Sequence, residues 1–561
     1  MTADARLKEK LTEAAAALGV DDVEVQLDRP RNPEHGDWAT NLAMVLAGRL
    51  GKPPRVVADE ILEHLDTAGA GVRSTEVAGP GFINFRVSEA QLQNLLERVL
   101  IEDQRYGRND PASPRRVIIE FVSANPTGPL HVAHGRGAAL GDAIATLLAW
   151  AGDAPHREFY VNDAGVQIDR LAASIHARWR QLRGEDVEVP EDGYRGDYVR
   201  ELAEEADHEL ANELTGAVES ERVALLRDWA VARLKAGQEE DLKAFGIVFD
   251  EWYPESRVYD EGRIEETLET LAEKGLTYEA DGALWLRASD YGDSKDRVLR
   301  KQDGSYTYFL PDLAYHREKA RRGFDHAINI WGADHHGYVP RMQAGLSAVG
   351  LEGFLDVEVV QMVRILRGGK EVKLSKRAGD FVTLRELFDE TGTDVARYFF
   401  LMRRAGTQMV FDLDLALDHS EKNPVFKVQY AHARMMSIFR KAGVDAPPTA
   451  AETLDLGLLQ TGDEQELIKQ LGRFPEIVAR AAAERAPHMV CDYLEETAGM
   501  ANSWYHSGNP SRNPELAVLV EDPELRAARL ALARGIRIVL RNGLTVLGLS
   551  APDRMEREDA V

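Results

Sequence analysis

Val117-Ile118-Ile119-Glu120-Phe121-Val122 runs directly into Ser123-Ala124-Asn125-Pro126-Thr127-Gly128-Pro129-Leu130 and then into His131-Val132-Ala133-His134-Gly135. The first six residues are an apolar run of the kind found in strands buried on both faces. The prolines and glycine that follow make a tight loop. After the histidines an Ala/Gly/Leu helix pattern continues to Trp150, and a second apolar strand follows near residues 159–161. Strand, loop, helix and strand make a βαβ unit, which implies a parallel sheet. The loop brings His131 and His134 to a helix start, where unpaired N–H groups and the helix dipole attract phosphate. Two imidazoles there can donate hydrogen bonds to α-phosphate oxygens as charge builds in a transition state. Two other readings of His-x-x-His stand beside this one. The pair can ligate a metal, although no third ligand lies nearby in the sequence, or it can be structural.

A second signature lies far downstream, at Gly368-Gly369-Lys370-Glu371-Val372-Lys373-Leu374-Ser375-Lys376-Arg377. Such a glycine-hinged basic loop can close over ATP, with Lys373 and Lys376 neutralising departing pyrophosphate. A solvated basic turn is the plain alternative.

With 561 residues the chain exceeds one ordinary core, and the usual domain size gives about three or four domains. The coarse pattern divides into a small α/β region over residues 1–110, a split α/β core over 111–385 and a helical region over 386–561. The core carries a helical, acidic insertion at about 167–246. Strand-like runs return at Ile328–Trp331 and Val357–Val363. No apolar run approaches the roughly 18 residues of a membrane span, and the charged N-terminus has no signal-peptide core. Cys491 is the only cysteine. It allows no internal disulfide and no cysteine-built zinc site, and it suits a reducing cytoplasm.

The net charge of −26 argues against a protein that coats nucleic acid indiscriminately, although local basic faces decide specific contacts. Arg526, Arg529, Arg534, Arg537 and Arg541 fall within roughly 140° of a helical wheel, opposite Leu525, Leu532, Ile536 and Val539. That stripe reads either as an RNA-backbone contact or as a solvated helix face. Phe426 and Tyr430 lie one helical turn apart and read either as a base-stacking pair or as core.

The two signatures resemble those of class I aminoacyl-tRNA synthetases. Longer segments narrow the resemblance to the bacterial-type arginyl-tRNA synthetase family: SANPTGPLHVAHGRGAALGDA (123–143), REFYVNDAGVQIDRL (157–171), FGIVFDEWYPES (245–256), KDRVLRKQDGSYTYFLPDLAYH (295–316), WGADHHGYVPR (331–341) and LRNGLTVLGLSAPDRM (540–555). GDWATNLAMVLAGRL (36–50) resembles that family's additional N-terminal domain. The resemblance covers essentially the whole chain. It implies a Rossmann-like parallel-sheet catalytic core, a small N-terminal α/β domain that touches the tRNA elbow, and an all-α C-terminal anticodon-binding domain. It also implies a monomer that uses ATP with its accompanying Mg2+, L-arginine and tRNA(Arg), with no zinc, and activation that requires bound tRNA.

The resemblance assigns roles residue by residue. His131 and His134 become the phosphate contacts, and Lys373, Ser375 and Lys376 the residues of the ATP loop. Ser123 and Asn125 hold the α-amino end of arginine, while Tyr308 and Asp312 line its side-chain pocket. A guanidinium is a planar cation that favours a carboxylate beside an aromatic face. Glu120 and Glu255 are further carboxylates that either assist there or serve structural ion pairs. Gly332 and Asp334 meet the ATP ribose, and His335 reaches towards the substrate amine. Asn84 stands where the family reads the D-loop, with a strand-end structural role as the alternative. Arg537 and Arg541 join Phe426 and Tyr430 as RNA-contact candidates. Ala133 departs from the family pattern, which has glycine beneath the adenine, and predicts weaker ATP binding. The second departure is Leu374 and Arg377 within the lysine loop. Lys376 is nonetheless present, and Thr127-Gly128-Pro129 carries no substitute for it.

Overall fold

The computed structural model describes residues 3–30, 32–163, 165–372, 383–444, 454–509 and 511–555. They form two compact units, one of residues 1–106, 431–474 and 497–539, the other of residues 107–430, 475–496 and 540–561.

The first unit contains strands β1 (Trp38–Thr40), β2 (Val72–Ala78) and β3 (Phe82–Val87). They form an antiparallel sheet in the order β1-β3-β2. Leu46 and Ile61, from the helices Leu42–Leu50 and Pro54–His64, pack with Ile83 and Phe85 of β3 in one core. Gly36 (φ +99°) is required here, because a Cβ would lie 2.6 Å from the Phe85 carbonyl oxygen. In the helical part of this unit Tyr106 donates to the Leu471 carbonyl at 3.0 Å. Lys469 pairs with Asp37 at 2.7 Å.

The second unit is built on a five-stranded sheet. Its strands are β4 (Arg116–Glu120), β5 (Ala154–Val161), β6 (Glu251–Pro254), β10 (His326–Gly332) and β11 (Leu355–Val360). Their order is β11-β10-β4-β5-β6, with every neighbouring pair parallel. The chain proceeds from β4 to β5 on one side and reaches β10 on the other. The carboxyl ends of β4 and β10 therefore flank a topological switch point, where open α/β sheets bind their ligands. Val117, Ile118 and Ile119 are fully buried, as their apolar run requires. The helix Val132–Ala151 packs close to the sheet through its small residues. A Cβ on Gly141 would lie 2.2 Å from Cγ of Phe121.

Strands β7 (Thr277–Ala280), β8 (Ala283–Leu286) and β9 (Arg297–Arg300) form a separate antiparallel sheet. The run expected as one strand over 357–363 is divided, because β11 ends at Val360 and β12 (Val363–Arg367) starts a different sheet. There β12 pairs antiparallel with β13 (Lys370–Val372) and parallel with β14 (Met409–Asp412). β14 corrects the expectation that everything beyond residue 385 is helical. Four residues are too few to interrupt a helical periodicity read over windows of roughly 11–18.

The insertion is helical, with Val166–Leu182, Asp197–Glu209, Ala211–Gly216 and Glu219–Ala244. It has its own core around Leu171, Ile175, Trp179, Leu202 and Leu226. Among the described residues no helix is long and apolar enough to cross a membrane.

Candidate functional site

The chain leaves β4 through two non-glycine residues in the left-handed region, Val122 (φ +67°) and Ser123 (φ +40°). Such conformations cost on the order of 1–3 kcal/mol each and persist only where neighbours over-determine them. Here the serine hydroxyl donates to Glu120 Oε1 at 3.1 Å and accepts from the Tyr160 N–H at 3.2 Å. Downstream, the insertion holds the loop. Tyr198 donates its hydroxyl to the Thr127 carbonyl (2.8 Å), and Gln238 donates to the carbonyls of Asn125 (3.2 Å) and Gly128 (3.0 Å). The Asn125 amide donates to Gln167 Oε1 at 2.8 Å.

The loop ends at His131, the N-cap of the helix Val132–Ala151. The two imidazoles stack with centroids 3.7 Å apart and planes at 20°. His134 Nδ1 accepts the His131 N–H at 3.3 Å, which fixes that nitrogen as unprotonated. Lys373, Ser375 and Lys376 lie outside the described residues. The flanks of their segment are placed. β13 ends at Val372, and at the other side Thr383 bridges His131 while the Leu384 N–H donates to the Leu130 carbonyl at 2.9 Å. Ala133 is exposed on the first turn of the helix.

Across the switch point the helix Phe309–Arg321 carries Asp312 in its first turn. Burial raises the Asp312 carboxyl to about 7, against the lowering effect of a hydrogen bond from Tyr338. That hydroxyl donates to Asp312 Oδ2 at 2.8 Å. Glu255 is likewise raised to about 7, first by burial and then by the charges of Asp312 and Asp163. Burial, with Glu255, Asp312 and Glu120 nearby, also pushes the Tyr160 hydroxyl up. The charges of Glu255, Asp312 and Glu120 thus all act on the Tyr160 hydroxyl, and a cation placed among these carboxyls would relieve their mutual repulsion. Tyr308, one turn before Asp312, is 81% exposed, so its ring reaches solvent.

Glu120 is committed to a buried ion pair, the structural of its two readings. Its Oε2 receives the Lys319 ammonium at 2.6 Å and the Asn329 amide at 3.0 Å. Lys319 is fully buried and also donates to Asn329 Oδ1 at 3.0 Å. That contact fixes which end of the asparagine is oxygen. The remaining amide proton points at His316 Nε2 (3.0 Å), so the histidine proton sits on Nδ1 and is donated to the Asp312 carbonyl at 2.8 Å. Burial and Lys319 hold His316 neutral, at about 3. One ammonium thereby orders a chain of polar groups from the β4 turn to the backbone of Asp312. Helical spacing was the available signal: Asp312, His316 and Lys319 stand at i, i+4 and i+7 on one face. Tyr338 and Asn329 had none.

Gly332 ends β10 and Asp334 and His335 follow it, both exposed and paired at 3.4 Å. A cavity of about 730 Å3 opens beside His134, lined among others by Asn125, Gln167, Arg170, Tyr194 and Tyr198. The one trio of potential metal ligands among the described residues, His156, Glu158 and Glu251, is already bridged by Arg322. Its Nη2 lies 2.5 Å from Glu158 and 2.6 Å from Glu251.

The RNA-contact candidates fare unevenly. Asn84 is buried in the middle of β3, not at a strand end, and a buried side chain presents no face to RNA. Phe426 is buried and stacks on half-buried Tyr430 at 5.6 Å, as core packing requires. The arginine stripe is not a solvated face either. Arg529 pairs with Glu464 at 2.7 Å with both side chains buried, and buried Arg534 reaches Asp103 at 3.0 Å. Arg537 is half-buried, and Arg541, also half-buried, donates to Asn542 at 3.0 Å. A wheel shows periodicity but not which acids on distant segments meet the face.

A parallel sheet with an imidazole pair at the start of the helix after β4, together with the buried carboxyls of Asp312 and Glu255, is the framework of a class I tRNA synthetase. Three family profiles match the chain: the arginyl tRNA synthetase N-terminal domain over residues 5–87, the class I (R) tRNA synthetase catalytic domain over 95–404, and the DALR anticodon binding domain over 428–555. Arginine--tRNA ligase 1 of Halalkalibacterium halodurans is 44% identical over 555 residues, 98% of each chain. Arginine--tRNA ligase of Geobacillus kaustophilus is 45% identical with the same coverage. The solved arginyl-tRNA synthetase of Thermus thermophilus superposes with a TM-score of 0.76 at 25% identity, covering 99% of this chain and all of that one. The chain belongs to the arginyl-tRNA synthetase family.

Proposed function

We propose that this chain is an arginine–tRNA ligase that works in two steps. The carboxylate of L-arginine attacks the α-phosphate of ATP, giving arginyl-adenylate and pyrophosphate. A ribose hydroxyl at the 3′ end of tRNA(Arg) then attacks the activated carbonyl, forming the ester and releasing AMP. The buried, mutually repelling carboxyls of Asp312 and Glu255, in the same unit as the stacked His131–His134 pair, are the observation that carries this reading. An arginine side chain is always cationic, so its entry displaces the protons that Asp312 and Glu255 hold near neutrality.

In this reading Asp312 and Glu255 receive the guanidinium, with Tyr308 over it, while Ser123 and Asn125 orient the α-amino end. His131 and His134 stabilise charge on the α-phosphate. Lys373, Ser375 and Lys376, with the Mg2+ that accompanies ATP, meet the departing pyrophosphate, and Gly332 and Asp334 meet the ribose. His335 stands near the substrate amine. Residues 5–87 and 428–555 contact tRNA, and the enzyme acts in the cytoplasm as a monomer.

ATP–pyrophosphate exchange run across all amino acids, with and without bulk tRNA, tests the function. Exchange with arginine that appears only when tRNA is present is the expected result. Exchange with another amino acid, or none at all, refutes it.

A further inference from the structure

Tyr338 has no role in any step above, yet its hydroxyl makes the side-chain hydrogen bond to the carboxylate on which arginine recognition is proposed to rest. Its ring is held on several sides. Phe309 meets it edge-on with centroids 6.4 Å apart, Trp331 lies at 5.8 Å, and the Arg341 guanidinium sits 5.1 Å from its centroid. A ring held this way gives its hydroxyl one position, and that position is against Asp312 Oδ2. The aspartate itself stands on the first turn of its helix, where χ1 and χ2 would otherwise be free to turn the carboxylate away from the cleft.

We infer that Tyr338 is a positioning residue for Asp312: it anchors one carboxylate oxygen and leaves the other turned towards the incoming guanidinium, so that the pocket is set for a planar cation before substrate arrives. The inference deepens the arginine-pocket reading and rests on it. Pre-organisation of this kind lowers the ordering cost of binding, and a hydrogen bond to the ionised form also favours that form. Other groups act on the same carboxyl from each side. Glu120 from β4 opposes its ionisation and Lys319 on its own helix favours it. Glu255, ahead of the helix Ser256–Asp260, shares the cleft. Tyr160 and Tyr259 lie within its field.

Tyr338→Phe keeps the ring between Phe309 and Trp331 and removes only the hydroxyl. In arginylation of bulk tRNA by the full chain, the variant is expected to raise the KM for arginine about tenfold, the scale of one hydrogen bond to a charged group. The KM for ATP and kcat stay within about twofold of the parent values. The acid limb of kcat/KM for arginine moves to higher pH, because the bond that favoured the carboxylate is gone. An arginine KM within twofold of the parent, or an acid limb that does not move, overturns the inference even if the melting temperature falls. Asp312→Asn in the same assay separates the two levels. If it leaves the arginine KM unchanged, the pocket reading itself fails; if it raises the KM while Tyr338→Phe does not, only the role given to Tyr338 fails.

Discussion

Replacing Lys319 by methionine keeps the unbranched stem of the side chain and deletes its terminal ammonium. It leaves Glu120 without its cation in a site where the lysine is fully buried, and it removes the donor that orients Asn329. Breaking a buried pair from one side costs about 3–5 kcal/mol. The second unit holds about 370 residues, so at roughly 2.1 cal/mol/K per residue its unfolding entropy is about 0.8 kcal/mol/K, and the loss becomes a fall of about 4–6 °C in melting temperature. Lys319→Met with Glu120→Gln removes both charges and should recover at least half of that fall, since a neutral pair leaves no orphan ion. Differential scanning calorimetry of the parent, both single variants and the double closes the cycle. A single variant within 1 °C of the parent, or a double variant less stable than Lys319→Met alone, refutes the assignment of this pair as a coupled unit.

Three further outcomes are expected. Asp312 and Glu255 titrate near 7, above the unfolded carboxylate range, so they hold protons that the unfolded chain has already released. Their contribution to stability is therefore lost as pH rises from about 4 through about 7. Arginine supplies the missing cation, so its stabilisation of the protein in thermal-shift measurements should be larger at pH 8 than at pH 6, and equal shifts would contradict the proposed cleft. Ala133→Gly should lower the KM for ATP about threefold, worth roughly 0.6 kcal/mol; an unchanged KM contradicts the weaker ATP binding expected from Ala133. Phe426→Ala should cost about 3–5 kcal/mol of stability, read by denaturant unfolding. An RNA-affinity loss with undiminished stability would return Phe426 to base stacking.

The parallel core was legible because its evidence is local. The apolar run of β4, the Pro/Gly loop and the small-residue helix each carry their own periodicity. The insertion was legible for the same reason. What escaped has a different physical origin. β14 is too short for a periodic signal, and its partner β12 is more than forty residues away in sequence. The basic stripe was correctly placed on a helix, but its solvation depended on Glu464 and Asp103, which a helical wheel does not contain. Tyr338, Asn329 and the tautomer of His316 are properties of three-dimensional hydrogen bonding, where each group is defined by which partner donates. Asp312 was singled out by resemblance; the tertiary structure adds the raised carboxyl and its tyrosine.

The ordered chain from Glu120 through Lys319 and Asn329 to His316 also has a consequence for descent. These four positions are not free to drift one at a time. Losing the lysine first strands an acid, losing the acid first strands an ammonium, and altering the amide reverses the donor that the imidazole requires. Passage to another solution must go through paired replacement. Across relatives the four should therefore behave as one inherited character, retained together or exchanged together, while the exposed residues around them vary independently.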